Sequence, residues 1–200
     1  MGAVSSRGHF VALVGPDGVG KSTLAAELIR RYEGCTAYVH FRPPFWSYLP
    51  PGPSEVPAGP KTDPGGSVLR GVLRIFKSLL VFWAGYLRRI RPALRRGCLV
   101  VADRWAYGYL AQPWSLGYDG PAWLARLVVR VMPAPEVVVL LEAPVDVILE
   151  RKTELSADQI TEELRSYSSI PARRLLRLDA TLDPGVLAQE VLVLISGAGS

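Results

Sequence analysis

A run of glycines, one lysine and two hydroxyl residues near the start of the chain could bind a phosphorylated ligand. Residues 15–23 (GPDGVGKST) fit the pattern G-x-x-x-x-G-K-[ST]. In that pattern successive backbone N–H groups turn toward one anion, and the following helix adds its positive N-terminal end. The lysine can reach the β- and γ-phosphates of ATP, and the serine hydroxyl can bind Mg²⁺. The predicted nucleotide-binding residues are Gly15, Asp17, Gly18, Val19, Gly20, Lys21, Ser22 and Thr23.

The segments on either side of this run have the character that a phosphate-binding loop requires. Residues 9–14 (HFVALV) form an apolar run of strand length, and Leu24 and Leu28 recur at helical spacing after the loop. The order strand, glycine loop, helix is the one in which this motif occurs. It favours a nucleotide site over the alternative, a glycine-rich turn that matches the pattern by chance.

A carboxylate and an arginine follow directly after a second apolar segment. Residues 99–102 (LVVA) predict a buried strand, and Asp103, Arg104 and Trp105 come next. A carboxylate in this position can hold Mg²⁺ opposite Ser22, and the arginine can bind phosphate oxygens with two parallel hydrogen bonds. The alternative for Asp103 is a cap at the start of a helix. We therefore predict Ser22 and Asp103 as the ligands of Mg²⁺.

Strands and helices alternate along the chain, which predicts a parallel sheet. The expected fold is a three-layer α/β fold of the P-loop NTPase class, with a five-stranded parallel sheet and helices on both faces. Ligands bind outside the carboxyl ends of the strands in such a sheet, so the glycine loop, Arg42, Asp103 and Glu142 should meet in one crevice. We predict one domain over residues 1–200. The predicted strands are 9–14, 36–41, 99–102, 136–141 and 174–178, and the main predicted helices are 21–32, 67–96, 121–131, 144–152, 160–167 and 184–195.

Two segments between these elements could close over bound substrates. Residues 42–66 are dense in proline and glycine, yet they contain Phe45, Trp46 and Tyr48, which a solvated linker rarely carries. We interpret this insertion as a loop that covers the substrate, with an unstructured insertion as the alternative. A break between two helices at 151–157 predicts a short lid that begins with Arg151 and Lys152. A solvated helix end is the alternative for this pair.

The composition limits the class of partner. The net charge of +5 fits a phosphorylated partner, but no basic tail or aromatic-rich motif indicates nucleic acid. The apolar stretch 68–87 is interrupted by Arg70, Arg74 and Lys77, which predicts an amphipathic helix without stable membrane insertion. A helix lying in a membrane interface is the alternative. Without a signal peptide we expect a cytoplasmic protein, in which Cys35 and Cys98 are small buried residues in a reducing compartment.

Taken together, these motifs resemble those of thymidylate kinase and its relatives among the P-loop nucleoside monophosphate kinases. The glycine loop with Asp17 is similar to the loop of that family, 103–105 (DRW) to its Asp-Arg-Tyr motif, and 41–43 (FRP) to its Arg-Glu-Pro turn. The resemblance covers about residues 9–195. It implies transfer of the ATP γ-phosphate to a nucleoside monophosphate such as dTMP, and a homodimer formed through helices beside the sheet. From their positions we predict catalytic roles for Lys21, Asp103, Arg104 and Arg151, the arginines acting with Lys152 as a cationic clamp over the transferring phosphoryl group. The resemblance implies an acceptor-phosphate contact for Arg42 and a place for Ala180 beside adenine.

The acceptor half departs from the family pattern. The turn lacks its glutamate, and Trp83 and Tyr86 lie where the family has an aromatic residue and an arginine. Trp83, Tyr86 and Trp105 are candidate walls of an acceptor pocket beside Arg42, because aromatic faces suit a base or a sugar ring. Trp83 and Tyr86 could instead be core residues of their helix. Two further functions stay open: a kinase for a sugar or nucleoside hydroxyl, with Asp103 as the base, and a nucleotide-dependent binding protein without catalysis.

Overall fold

The strands form one parallel sheet whose order places β1 in the centre. The computed structural model describes residues 7–40, 68–116, 118–151 and 156–197. Within these ranges the sheet has five strands in the order β2-β3-β1-β4-β5, and every pair is parallel. The predicted fold class is confirmed. The strands are β1 (His9–Val14), β2 (Thr36–His40), β3 (Leu99–Asp103), β4 (Val137–Glu142) and β5 (Leu175–Asp179).

Helices cover both faces of this sheet because the side chains of each strand alternate between them. In β1, Phe10, Ala12 and Val14 belong to one buried cluster, whereas Val11 and Leu13 belong to the other. The first cluster includes residues of α2, α4 and α5, and the second includes residues of α1, α6 and α8. The described helices are α1 (Lys21–Arg31), α2 (Val68–Gly85), α3 (Arg91–Arg95), α4 (Gly108–Ala111), α5 (Ala122–Val131), α6 (Val145–Arg151), α7 (Ala157–Ser168) and α8 (Pro184–Gly197).

The long helix predicted over 67–96 is divided by a π-helical turn at Tyr86–Ile90. Pro92 lies in the first turn of α3, where it has no N–H to donate and its ring would clash with a carbonyl four residues back. The π turn changes the hydrogen-bond register just before this proline, and Arg91 donates its backbone N–H to the Tyr86 carbonyl, five residues back. The proline therefore changes the helix register rather than ending the helix.

A serine and a glutamine define the start of α7. Ser156 caps the helix, because its Oγ accepts the Gln159 N–H at 3.3 Å and its own N–H donates to Gln159 Oε1 at 2.9 Å. This reciprocal pair satisfies two backbone N–H donors that the first turn would otherwise leave unpaired. The cap fixes where α7 begins and so which of its residues face the sheet.

One face of α2 is exposed although it is apolar. Ile75 and Phe82 point into the core, whereas Leu80 is 73% exposed, with Leu73, Phe76 and Leu87 also exposed along the helix and the π turn. Contiguous exposed apolar side chains are typical of interaction surfaces. This face is the candidate surface for the predicted homodimer, which stays a prediction. None of the described helices is both long and apolar enough to cross a bilayer.

The prediction for the two cysteines is wrong, because Cys35 and Cys98 form a disulfide with an S–S distance of 2.06 Å. Each cysteine comes one residue before a strand, and Thr36 of β2 pairs with Leu99 of β3. Parallel pairing therefore brings the two Cα atoms within 4.6 Å of each other. Cys98 is buried, whereas Cys35, which precedes the edge strand β2, is exposed. The sequence alone could not show the pairing, since it does not give the strand order.

Reducing this disulfide should lower the free energy of unfolding by about 4 kcal/mol, because the bond closes a long loop in the unfolded chain. The two cysteines are 63 residues apart. Urea denaturation with and without reductant would measure the change. The double variant Cys35→Ser/Cys98→Ser is the control and should be insensitive to reductant. Equal unfolding midpoints of the native chain in both conditions would contradict the prediction.

Candidate active site

The glycine loop connects the carboxyl end of β1 to the first turn of α1. Gly15 has a φ of 137°, and a Cβ atom there would lie 2.6 Å from the Leu141 carbonyl oxygen on the neighbouring strand. Gly20 precedes α1 with a φ of 109°. Side chains other than hydrogen are strained at such angles, so the glycines are needed for the chain to reverse directly above the sheet. The loop therefore presents its backbone at the edge where ligands bind in parallel sheets.

Lys21 lies within the curve of this loop. Its ammonium group donates to the carbonyl oxygens of Gly15 at 2.9 Å and Pro16 at 2.7 Å, and it lies 3.7 Å from Asp17 Oδ1. The side chain is only 6% exposed, and burial lowers its pKa below the usual value. A cation held at this position is placed to meet the phosphates of a nucleotide bound by the loop.

Asp103 lies at the end of β3, between the ends of β1 and β2. The sheet register pairs it with Leu13 on one side and His40 on the other. Its Oδ2 accepts hydrogen bonds from Tyr38 Oη at 3.0 Å and Ser22 Oγ at 3.3 Å, and His40 Nδ1 lies 3.4 Å away. Burial alone would raise the pKa of Asp103, but the hydrogen bond from His40 and the charge of Lys21 outweigh it, and the pKa lies below its usual value. Asp103 is therefore a carboxylate at neutral pH.

The donor set at Asp103 fits Mg²⁺. The other carboxylate oxygen, Oδ1, is buried and accepts no hydrogen bond from any residue within the described ranges, and Ser22 lies beside it. The described residues contain no cluster of three or more His, Cys, Asp or Glu that could hold a metal. Mg²⁺ does not need one, because it is commonly bound by one or two protein oxygens together with phosphates and water.

Arg104 adopts a backbone conformation that is unusual for a residue with a side chain. Its φ is 64°, and its N–H donates to the Leu13 carbonyl at 2.9 Å. Its guanidinium forms an ion pair with Asp17 of the glycine loop. Burial would lower the pKa of Arg104, but Asp17 and the other nearby acidic groups raise it, so the side chain keeps its charge. A strained backbone that aims a cation at a phosphate loop is typical of a functional site.

The described structure brings Arg151 and Ala180 to the other side of the glycine loop. A cleft of about 460 Å³ is lined by Gly18, Thr23, Arg151, Ala180 and residues 181–184. Ala180 is held there because its N–H donates to the Glu142 carbonyl at 2.7 Å, which joins the ends of β4 and β5. The cleft is large enough for part of a nucleotide and continues directly from the phosphate loop.

Glu163 is a buried acid next to this site that the sequence did not single out. It lies on α7, is 1% exposed and accepts a hydrogen bond from the Gln112 side-chain amide. Burial raises the pKa of Glu163 to about 7, and the charges of Asp17, Lys21 and Arg104 act on it. Two adjacent glutamates in a polar helix are a pattern typical of a solvated surface. The spacing of the residues could have indicated that Glu163 is buried. Ile160, Glu163 and Tyr167 share one helical face, and all three are buried.

Replacing Glu163 with glutamine should remove a pH-dependent loss of stability. The unfolded chain releases this proton near pH 4.5 and the folded chain near pH 7, so stability falls as pH rises through that window. The full difference is about 3 kcal/mol, from a shift of about two and a half pKa units. Glu163→Gln should therefore be more stable than the native chain by about this amount at pH 8 and nearly equal to it at pH 4.5.

Urea denaturation at the two pH values would measure this difference. The exposed neighbour Glu162 provides the matched control, and Glu162→Gln should leave the pH dependence unchanged. A Glu163→Gln variant that is less stable than the native chain at pH 8 would show that the ionised carboxylate is needed in the fold.

Trp105, Trp83 and Tyr86, the predicted acceptor residues that the structure describes, do not meet at the carboxyl ends of the strands. Trp105 is 1% exposed and packs in the core between the rings of Phe10 and Phe82, at centroid distances of 4.9 and 4.4 Å. Its indole N–H donates to the Pro133 carbonyl. The side chain of Trp105 packs between the sheet and α2 rather than at the ends of the strands. This position corrects the prediction that Trp105 lines an acceptor pocket. Arg42, Phe45, Trp46, Tyr48 and Lys152 lie outside the described residues.

Trp83 and Tyr86 lie near the opposite edge of the sheet. Tyr86 follows the end of α2 and lines a cleft with Gly8 and Phe10, at the amino end of β1. The ring of Trp83 contacts that of Tyr86 at a centroid distance of 5.8 Å. A helix of 18 residues spans about 27 Å, which can carry its carboxyl end away from the glycine loop. The described structure therefore does not bring these two aromatics together with the glycine loop.

Comparison with known proteins points in one direction. No protein-family model matches the chain. The chain is 31% identical over 205 residues to the thymidylate kinase of Thermomicrobium roseum, with 91% of each chain covered. It is 31% identical over 150 residues to a probable thymidylate kinase of Pyrococcus horikoshii, with 72% of this chain and 70% of the relative covered. A solved thymidylate kinase from Candida albicans shares the fold, with a TM-score of 0.66, 14% identity, and coverage of 96% of this chain and 92% of the other.

Proposed function

The chain belongs to the thymidylate kinase family, and on that premise we propose that it transfers the γ-phosphoryl group of ATP to a nucleoside monophosphate. It is an ATP-dependent kinase, and thymidine monophosphate is the first acceptor to test. The observation that carries the proposal for the donor side is the arrangement of Lys21, Ser22 and Asp103 around the glycine loop.

Each of these residues has a role that follows from its position. Ser22 and Asp103 would hold Mg²⁺, which supplies charge neutralisation at the β- and γ-phosphates when bound. Lys21 stabilises the charge that develops on the transferring group, because its ammonium is fixed inside the loop. Arg104 and Arg151 lie on either side of the loop and would contact the phosphates from both directions. Ala180 and residues 181–184 would line the base.

The state of Asp103 supports a phosphate rather than a hydroxyl as the acceptor. A hydroxyl acceptor has to lose a proton, and Asp103 would be its base. The pKa of Asp103 lies below its usual value, its Oδ2 already accepts two hydrogen bonds, and its other oxygen would bind Mg²⁺, so it is a weak base. An acceptor phosphate needs no base: its anionic oxygen forms the new P–O bond as the bond between the γ-phosphorus and the oxygen bridging to ADP breaks.

We further propose that residues 1–200 act as one domain, with 42–66 and 151–157 covering the acceptor and the donor. Arg42 would contact the acceptor phosphate, as the family resemblance implies. The cytoplasm is the proposed location, because ATP is available there, although a disulfide is unusual in that compartment. These assignments rest on the family and on the charge of the residues concerned.

A panel of acceptors with ATP and Mg²⁺ tests the function directly. The panel should contain thymidine, uridine, cytidine, adenosine and guanosine monophosphates, together with thymidine and simple sugars. We expect ADP release that depends on a nucleoside monophosphate and a nucleoside diphosphate as the product. Transfer only to a nucleoside or a sugar would replace this proposal with a hydroxyl kinase. Binding of ATP without transfer to any acceptor would favour a binding protein.

A further inference from the structure

We propose that an arginine-lined cleft at the amino ends of the strands, opposite the glycine loop, binds a small anion. This anion carries two or more phosphate groups. The cleft has a volume of about 730 Å³. It lies at the amino ends of the strands, since Gly8 precedes β1, Glu136 precedes β4 and Arg174 precedes β5. The active site lies at the carboxyl ends, so the two sites are separate.

Positive charge dominates the lining of this basic cleft. Its five cationic residues are Arg7, Arg91, Arg95, Arg173 and Arg174. Its single carboxylate, that of Glu136, forms a hydrogen bond with His9 Nδ1 at 3.0 Å. Five arginines against one acid give a strongly positive concave surface, which concentrates anions.

Four of these arginines have no acidic partner in the part of the chain that the structure describes. Arg91, Arg95, Arg173 and Arg174 form no ion pair there. Some arginines elsewhere in the same ranges are paired, as Arg30 and Arg31 are with Glu27. Like charges gathered without counterions repel each other, and a bound polyanion would offset that repulsion.

The backbone fixes one wall of the basic cleft. Arg91 donates its N–H to the Tyr86 carbonyl through the π turn, which holds these two residues in a defined relation. Arg95 follows one helical turn after Arg91 on α3, so both guanidiniums extend from the same face. The Gly8 N–H donates to the Leu94 carbonyl at 3.1 Å, which joins this helix to the start of β1. Turns of this π-helical type are frequent at functional sites.

The chemistry of the lining selects the ligand class. Guanidinium groups bind phosphate oxygens with two parallel hydrogen bonds, and arginines from α3 and from the segment before β5 approach from different elements. Such an arrangement suits more than one phosphate group. The volume lies in the range of small-molecule sites, and the half-buried ring of Tyr86 offers an apolar wall. Inorganic polyphosphate and a nucleoside polyphosphate share this chemistry.

Calorimetric titration of tripolyphosphate into the full chain tests the proposal. The Lys21→Ala variant serves as the background, because it weakens the competing site in the glycine loop. In this background Arg91→Ala/Arg95→Ala should weaken tripolyphosphate binding at least about tenfold, since two charge-assisted contacts are lost. Arg126→Ala/Arg130→Ala is the matched control. It removes two exposed arginines at the same spacing on α5, and binding should stay within about twofold.

Four further outcomes distinguish a nucleotide from inorganic polyphosphate and test the proposal itself. Tighter binding of a nucleoside triphosphate than of tripolyphosphate, lost in Tyr86→Leu, would support a nucleotide ligand; equal binding would support inorganic polyphosphate. Unchanged tripolyphosphate binding in Arg91→Ala/Arg95→Ala would overturn the proposal. Binding of a single-stranded oligonucleotide without any binding of tripolyphosphate would overturn it in favour of a nucleic-acid surface. The result does not depend on the proposed acceptor, because none of these readouts is kinase turnover.

Discussion

Replacing Lys21 with alanine should lower kcat by at least about a hundredfold. The ammonium group is already fixed in the loop by the carbonyls of Gly15 and Pro16, so it is preorganised for the charge that develops on the transferring phosphoryl group. Removing one preorganised donor of this kind costs about a hundredfold to a thousandfold in rate. The measurement is steady-state turnover with saturating ATP, Mg²⁺ and the acceptor that the panel selects.

Two variants make this experiment decisive. Lys21→Met keeps the length and apolar stem of the side chain but removes its charge, and it should lose as much turnover as Lys21→Ala. Lys77→Ala removes an exposed lysine of α2, far from the loop in the chain, and should leave turnover within about twofold. A Lys21→Met variant with native turnover would mean that the loop binds phosphate through its backbone alone and that the lysine has no catalytic role.

The donor half of the site could be predicted because its residues follow a rule of parallel sheets. The glycine loop and Asp103 each come directly after an apolar strand, and the carboxyl ends of parallel strands share one edge. Their proximity therefore requires only that the strands be recognised. The hydrogen bond from Tyr38 to Asp103 is different, because it requires β2 to be the neighbour of β3. The local sequence of neither strand shows which strands will be neighbours in the sheet.

The features that were missed depend on which way a side chain faces. Trp105 and Asp103 are two residues apart, yet the tryptophan packs into the core while the aspartate stays at the strand end. The positive φ of Arg104 lies between them and reverses the local direction of the chain. Glu163 was missed for a related reason, since burial of an acid is energetically costly and a solvated position is the ordinary expectation.

Arg104 combines a strained backbone with an ion pair, and this combination allows a test that separates catalysis from stability. Both Arg104→Ala and Arg104→Gly remove the guanidinium and its contact with Asp17. Glycine adopts a φ of 64° without strain, whereas alanine does not. Arg104→Gly should therefore be more stable than Arg104→Ala by about 1 kcal/mol, measured as the difference in the free energy of unfolding in urea.

The turnover of Arg104→Ala and Arg104→Gly should be equally low, although their stabilities differ. A cation placed on a transferring phosphoryl group can be worth about a thousandfold or more in rate, and both variants should lose kcat by about this factor. Arg177→Ala is the matched control, because it removes an arginine 3.7 Å from Glu142 at the end of the neighbouring strand, outside the loop, and it should keep turnover within about threefold. If Arg104→Gly recovered turnover together with stability, Arg104 would act by shaping the backbone after Asp103. If both variants stay inactive while their stabilities differ, the guanidinium itself contacts the phosphoryl group.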